Sequence, residues 1–240
     1  MTQLSPVLLA IDTATQECST AAVAEGISVL KDKPSGNGHS EAVIGMVDEA
    51  LKEAGISLEQ CDAVVFGAGP GAFTGLRVAC GVAQGLAWAS GKPVVPAGNL
   101  EALALKVLSS EAPGTRVIAA LDARMHQSYC AVYEKAAEDG ARPAEVEPPQ
   151  LVNPEDIPGI LSRTGAAVAA GSAVAAFPEA FSSSNLRKIP DAAADALDLA
   201  RLGRLLFLEG KAIIPELAAP LYIRNRVALT IEERKAGESL

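Results

Sequence analysis

The sequence predicts an α/β protein built from two units of related design. Its 240 residues, 49% of them hydrophobic, are enough to fill a substantial core. In the first half, short β-rich runs are followed by helices, and from about residue 101 the same succession begins again. This order, strands followed by helices, occurs twice, which indicates two α/β units rather than one long doubly wound sheet. We therefore divide the chain into an N-terminal domain, residues 1–106, and a C-terminal domain, residues 107–240.

The first half of the chain reads βββαβαβ. Hydrophobic periodicity and turn residues predict strands at 7–12, 18–24 and 27–33, a helix at 41–54, a strand at 63–66, a helix at 74–90 and a strand at 94–96. Ser40 is the expected N-cap of the first helix. Apolar residues recur along this helix at the spacing of one helical face, which contains Val43, Met46, Val47 and Ala50.

The second half repeats the pattern with shorter elements. We predict a helix at 101–109, strands at 117–121, 128–133 and 145–152, a short helix at 154–161, an apolar run at 166–170 and a helix at 191–208. Residues 134–149 are rich in charge, Pro and Gly, so we interpret them as a surface excursion within this unit.

A glycine-rich turn, GAGPGAFTGLRV, separates the strand at 63–66 from the helix at 74–90. Gly67, Gly69 and Ala72 match the form of a dinucleotide-binding loop, but the next strand ends without the acidic residue that would hold a ribose. A Walker loop is excluded because Gly75 is followed by Leu76 rather than by Lys.

Two interpretations of the turn remain open. Its glycines could serve the backbone alone, by permitting conformations that other residues avoid. Alternatively, free N–H groups at the start of the helix could form a weak anion nest, with Gly69, Gly71 and Thr74 as the candidates.

The helix that follows the turn is almost free of charge. Between Leu76 and Ala89 the one charged residue is Arg77, which we expect to reach solvent or to pair with an acid, either its own or a partner's. Such a helix has to be covered on more than one side, by another helix or by a partner subunit. We assign Val78, Gly81, Val82, Gly85 and Trp88 to partner binding, together with the apolar face of the helix at 41–54.

Composition excludes several function classes. A net charge of −9 and a pI near 4.8 oppose direct binding of tRNA or DNA, since phosphate contacts need clustered Lys and Arg. The apolar runs are too short for a membrane span, which indicates a cytoplasmic protein. The four cysteines are scattered, so we expect buried, reduced thiols rather than a zinc site.

Several motifs, in order, resemble the TsaB family of bacterial tRNA threonylcarbamoyladenosine biosynthesis proteins. They are LLAIDTATQECSTAAV, HSE, GPGAFTGLRV, DAR and PLYIR, and they extend over nearly the whole chain. The resemblance implies a fold of two βββαβα units of the actin-like, or ribonuclease H-like, ATPase superfamily. It also implies a paralogue, the transferase TsaD, in which a His-x-x-x-His pair binds a metal.

Laid on the TsaD pattern, this sequence has Asn99 and Leu103 at the two histidine positions, and Asp191 near the third ligand. Leucine cannot bind a metal and Asn is a poor substitute for imidazole, so we expect no metal and no catalytic residues. His39 and His126, the two histidines, are interpreted as loop or cap residues, and Asp12 either holds the turn after it or lies near a phosphate or metal.

The resemblance therefore implies a non-catalytic scaffold that binds TsaD through its apolar helix faces and forms a homodimer without it. TsaE, an ATPase, would be a third partner, and tRNA would be reached only indirectly. No cofactor would be bound by this chain alone, while the assembled complex would use ATP and threonylcarbamoyl-adenylate. The alternative is an active enzyme, peptidase-like or ATP-hydrolysing, that uses Asp12 and the glycine turn.

Overall fold

The structure, a computed structural model, describes residues 5–15, 17–34 and 39–224. Of residues 39–41 it describes the backbone alone, so the roles expected for the side chains of His39 and Ser40 lie outside the described part of the chain.

The N-terminal unit is a five-stranded sheet in the order β3-β2-β1-β4-β5. Its strands are β1 (Leu8–Asp12), β2 (Glu17–Ala24), β3 (Ile27–Pro34), β4 (Ala63–Gly69) and β5 (Val94–Gly98). Strands β1 to β3 are antiparallel neighbours, whereas β4 and β5 run parallel to β1. Its helices are α1 (His39–Ala54), α2 (Phe73–Ser90) and α3 (Asn99–Leu108), with a short 3-10 helix at Leu58–Gln60.

The C-terminal unit repeats this connectivity in a second five-stranded sheet, ordered β10-β9-β6-β7-β8. Its elements are β6 (Arg116–Arg124), β7 (Gln127–Glu134), β8 (Ala144–Val152), α4 (Ile157–Thr164), β9 (Val168–Ala170), α5 (Ser172–Ala176), β10 (Arg187–Ile189) and α6 (Ala196–Leu208). In both units an antiparallel meander is followed by a helix, a parallel strand, a helix, an edge strand and a last helix. The prediction of two related α/β units is confirmed.

The predicted helices start one to five residues away from their predicted first residues. Helix α1 begins at His39, so Ser40 lies inside its first turn and not before it. Helix α2 begins at Phe73, after Ala72, which contributes no side-chain cap. Helix α6 begins five residues later than the predicted start at 191, because the Asp195 carboxylate accepts hydrogen bonds from the N–H groups of Leu197 (2.8 Å) and Asp198 (3.1 Å) and caps the helix there.

Helices α1 and α2 lie side by side on one face of the first sheet. Their inward side chains meet the alternate residues of β1 and β4, and Leu9, Ile11 and Phe66 are fully buried between these layers. The four cysteines are free and buried, as expected.

The other face of the first sheet is covered by a helix from the second unit. Helix α6 packs on β1, β2, β4 and β5, while α3, from the first unit, packs on β6 and β7 of the second sheet. The two helices also contact each other, so one continuous core joins both sheets. The Ser19 hydroxyl in β2 accepts a hydrogen bond from the N–H of Ala196 (2.9 Å) and fixes the start of α6 over the first sheet.

Within the described residues, none of the helices combines the length and apolarity needed to cross a bilayer.

The close approach of α6 to β4 depends on Gly203. A Cβ atom at this position would lie 2.5 Å from Cγ2 and 2.7 Å from Cγ1 of the buried Val65. We expect Gly203→Ala to lower the free energy of unfolding by about 1–3 kcal/mol, the usual cost of overpacking a filled core. Urea denaturation followed by circular dichroism measures this change.

Gly159 in α4 is the matched control, because a Cβ there meets no atom within 4 Å. Gly159→Ala should leave stability unchanged or raise it by up to about 1 kcal/mol through helix propensity. Equal effects of the two substitutions would contradict the tight packing of α6 on β4.

Candidate functional site

The glycine turn between β4 and α2 is filled by the chain's own backbone. A Cβ at Gly75 would lie 1.8 Å from the carbonyl oxygen of Thr13, and one at Gly71 would lie 2.5 Å from that of Ala14. The Thr13 hydroxyl donates to the Gly75 carbonyl (2.6 Å), and the Ala72 N–H donates to the Ala14 carbonyl (2.8 Å). The glycines therefore let the turn after β1 dock directly on the start of α2.

This geometry favours the structural interpretation of the turn over an anion nest. The Gly69 N–H, one of the groups that an anion would need, already donates to Oδ1 of Asn99 (2.8 Å). Gly71 lies against Ala14, and Thr74 is exposed in the first turn of α2. The positive φ of Gly69, 117°, is a conformation that residues with a side chain rarely adopt.

Asp12 ends β1 and is buried beside this turn. Its Oδ1 accepts the N–H of Ala14 (2.9 Å), so the carboxylate holds the turn that follows it. The Asn99 amide donates to both carboxylate oxygens at 3.2 Å. Asp12, Asn99 and Gly69 thus form one buried chain of hydrogen bonds that joins the ends of β1 and β4 to the start of α3.

Burial raises the pKa of Asp12 from the ordinary 3.8 to about 6. Loss of solvation is the largest cause, and the negative charge of Asp195 adds to it, while the hydrogen bonds from Ala14 and Asn99 act in the opposite direction. Asp12 is therefore a turn-holding acid whose charged form is disfavoured by its surroundings.

The three residues placed on the metal positions of TsaD are engaged in the core or exposed. Asn99 is engaged with Asp12, Leu103 lies in the core against Gly171, and Asp191 is exposed in the turn before α6. The carboxylate whose negative charge contributes to the raised pKa of Asp12 is that of Asp195. Among residues 5–15, 17–34 and 39–224, no three His, Cys, Asp or Glu side chains are grouped as a metal site would require.

The structure corrects our reasoning about the apolar face of α1. The four residues assigned to partner binding on this helix are buried in the chain's own core against the first sheet: Val43, Met46, Val47 and Ala50. The amphipathic pattern predicted burial correctly but could not tell an internal surface from an external one. Ile44, on the opposite side of α1, is half-exposed.

The residues assigned on α2 lie at its outer side. Gly81 and Gly85 are exposed with open space where a Cβ would be, and Trp88 is 64% exposed. Val78 and Val82 are half-buried and contact the α1/α2 core from its margin. The outer side of α2 is therefore a strip of bare backbone that ends at an indole ring.

A segment that the sequence analysis did not assign covers another part of α2. Residues 213–224 follow α6, and Ile213 pairs with Val94 at the start of β5. The side-chain amide of Gln84 donates to the Pro215 carbonyl (2.8 Å) in the short 3-10 helix Pro215–Leu217. The chain itself therefore covers one side of α2, beside the residues assigned to partner binding.

Arg77 was expected to reach solvent or to pair with an acid. It is exposed, but its guanidinium lies 3.8 Å from the centre of the Phe73 ring, and its Nε donates to the Tyr222 hydroxyl (3.0 Å). This stacking between an arginine and aromatic rings is favourable without any carboxylate. The tyrosine of this contact belongs to the PLYIR motif, which the sequence analysis had singled out. The contact itself could not be predicted, because the two residues are 145 positions apart.

The two sheets of like topology, with α3 and α6 each packed on the sheet of the other unit, define an actin-like α/β protein. In agreement, the family model described as TsaD, tRNA N6-adenosine threonylcarbamoyltransferase, matches residues 33–230. Two curated relatives carry the description "tRNA threonylcarbamoyladenosine biosynthesis protein TsaB". The one from Haemophilus influenzae is 35% identical over 92% of this chain and 94% of its own length, and the one from Escherichia coli is 34% identical over 92% and 96%. The chain belongs to the TsaB family.

Solved structures agree with this assignment. A Pseudomonas aeruginosa protein, described as uncharacterized and similar to peptidase YeaZ, superposes with a TM-score of 0.82 at 32% identity, covering 91% of this chain and 100% of its own. YeaZ from Pseudomonas aeruginosa superposes with a TM-score of 0.79 at 32% identity, covering 90% and 99%. The expected fold is confirmed.

The raised pKa of Asp12 makes stability depend on pH. The folded state keeps this proton up to about pH 6, while the unfolded state loses it near 3.8, so the contribution of Asp12 is fully present below pH 3.8 and is lost as the pH rises through 6. The difference in unfolding free energy between the wild type and Asp12→Asn should therefore shift against the wild type by about 3 kcal/mol from pH 3.5 to pH 7.

Urea denaturation of both proteins across this range measures the difference. Asp122→Asn is the control, since Asp122 is only part-buried at the corresponding end of β6. Parallel pH profiles for the wild type and Asp12→Asn would contradict the elevated pKa.

Proposed function

We propose that the chain is a non-catalytic subunit of the machinery that makes threonylcarbamoyladenosine in tRNA, and that it binds and supports the transferase TsaD. The strip on α2 carries this proposal: Gly81 and Gly85 are exposed with open space around them, and Trp88 stands beside them. Small residues allow a second helix to approach closely, because the distance between helix axes depends on the side chains between them. An exposed tryptophan is among the residues most often decisive in protein interfaces.

Further apolar side chains lie around this strip. Ile44 on α1 and Ile214 and Leu217 in the segment beside α2 are exposed. Helix α2 contacts both of these elements, so the exposed apolar residues extend to either side of it. In the absence of TsaD, the same surface would join two copies of this chain in a homodimer.

The absence of catalysis is argued from the residues at the TsaD metal positions. Asn99 is fully occupied by Asp12 and Gly69, and Leu103 is a core residue. In this proposal the chemistry belongs to TsaD, while ATP and threonylcarbamoyl-adenylate are used by the assembled complex with TsaE as a third partner. The net charge of −9 supports contact with tRNA through the partners alone, in the cytoplasm.

The proposed interface is tested by placing a charge on the strip. Gly85→Glu should weaken the affinity for TsaD from the same cell by about 100-fold or more, because a carboxylate would be buried without a partner in a helix contact. Isothermal titration calorimetry with the two purified proteins measures this affinity, and size-exclusion chromatography with light scattering measures the homodimer.

Gly159→Glu is the matched control, since Gly159 is also an exposed helical glycine with open space, on α4 of the other unit. It should bind TsaD as the wild type does. Equal affinities for the wild type and Gly85→Glu would exclude the α2 strip as the TsaD surface.

The non-catalytic role is tested in a reconstituted tRNA modification reaction. With Asp12→Asn in place of the wild type, we expect the rate of threonylcarbamoyladenosine formation per assembled complex to stay within about twofold, because a group that only holds a turn contributes nothing to the transition state. A loss of about 100-fold or more at unchanged complex concentration would favour the alternative, an enzyme that uses Asp12. Calorimetry of the purified chain with ATP and Mg²⁺ gives an independent answer, since binding would favour an ATP-hydrolysing protein.

A further inference from the structure

The segment after α6 connects the two units a second time. From the pairing of Ile213 with Val94 it passes alongside α2 towards the glycine turn and reaches the hairpin of the second sheet at Arg224. Its last seven described residues, Ala218–Arg224, are called the clasp below.

The first contact of the clasp is with the end of β4. The Leu221 N–H donates to the Ala68 carbonyl at 2.7 Å. The Leu221 carbonyl oxygen lies 2.9 Å from the position that a Cβ at Gly69 would occupy. A side chain at residue 69 would therefore displace the clasp, which gives this glycine a second function besides its positive φ.

Tyr222 fastens the clasp to the start of α2. Its ring centre lies 5.5 Å from that of Phe73, and its hydroxyl accepts the hydrogen bond from Arg77 Nε. The arginine thus lies among two rings and one hydroxyl, all within the first turns of α2 and the clasp. Together these contacts attach the clasp to the first unit by side chains as well as by backbone.

Arg224 attaches the other end of the clasp to the second unit. Its guanidinium donates to the Ala123 carbonyl (3.0 Å) and to the Arg124 carbonyl (3.4 Å) at the end of β6. The β6–β7 turn has positive φ at three successive residues that are not glycine, Arg124 (62°), Met125 (53°) and His126 (56°). Residues with side chains rarely adopt this conformation, so the turn needs contacts of this kind to hold it.

We propose that the clasp couples the glycine turn of the first unit to the β6–β7 turn of the second, so that loosening either end of the clasp loosens the other. Strand β6 is the central strand of its sheet and β4 is the neighbour of the central strand β1, and the clasp joins the carboxyl ends of β4 and β6. In α/β sheets this edge is where ligands are usually bound. Here the backbone of the clasp lies across the carboxyl ends of β4 and β6. Access to either strand end therefore depends on the contacts at both ends of the clasp.

The coupling is tested by changing one end of the clasp and observing the other, in the full-length protein. Arg224→Ala removes the hydrogen bonds to the second unit. We expect it to accelerate amide hydrogen exchange by about tenfold or more both in the β6–β7 turn and in the peptides that contain Gly69 and Leu221. Hydrogen exchange with mass spectrometry measures all of these peptides in one experiment.

Tyr222→Ala is the reciprocal variant, because it removes the contacts with Phe73 and Arg77 and leaves Arg224 intact. Coupling is reciprocal by thermodynamic necessity, so this variant should accelerate exchange in the β6–β7 turn as well. Lys188→Ala, at an exposed position in β10, is the control and should change neither region. If either variant loosens only its own end, the clasp consists of two independent local contacts and the proposal is wrong.

Discussion

Helices α3 and α6 each pack against the sheet of the other unit, and the remainder of the molecule depends on this exchange. Helix α6 covers the face of the first sheet that α1 and α2 leave open, and Gly203 allows it to approach Val65 closely. Helix α3 in turn contacts β6 and β7. Because α3 begins at Asn99, directly after β5, the exchange also fixes the amide of Asn99 beside Asp12.

The buried contacts around Asp12 engage Asn99, which stands at one of the metal positions of the related transferase. Where the resemblance to TsaD places metal ligands, this chain has an amide that closes a hydrogen-bond chain and a leucine that fills the core. The amide closes contacts within the first unit, and the leucine lies beside Gly171 of the second.

Much of the fold could be predicted because its signals are local. The antiparallel strands, the apolar periodicity of α1 and the repeated order of strands and helices can each be recognised from residues that are close together in the chain. The direction of the apolar faces could not be predicted, because Val43 and Met46 have the same pattern whether a sheet of the same chain or a partner covers them. The use of the glycines as docking points for Thr13 and Ala14, and the contact between Arg77 and Tyr222, depend on residues that are far apart in the chain.

The exchange of the last helices has a consequence for the history of the two halves. Each sheet is completed by an element encoded in the opposite half of the gene, so neither half can be replaced without its counterpart. A recombinant that joined the first half of one family member to the second half of another would place an unfamiliar α6 over β4, where a single methyl group in place of Gly203 already collides with Val65. The two halves of repeated topology therefore form one interdependent unit.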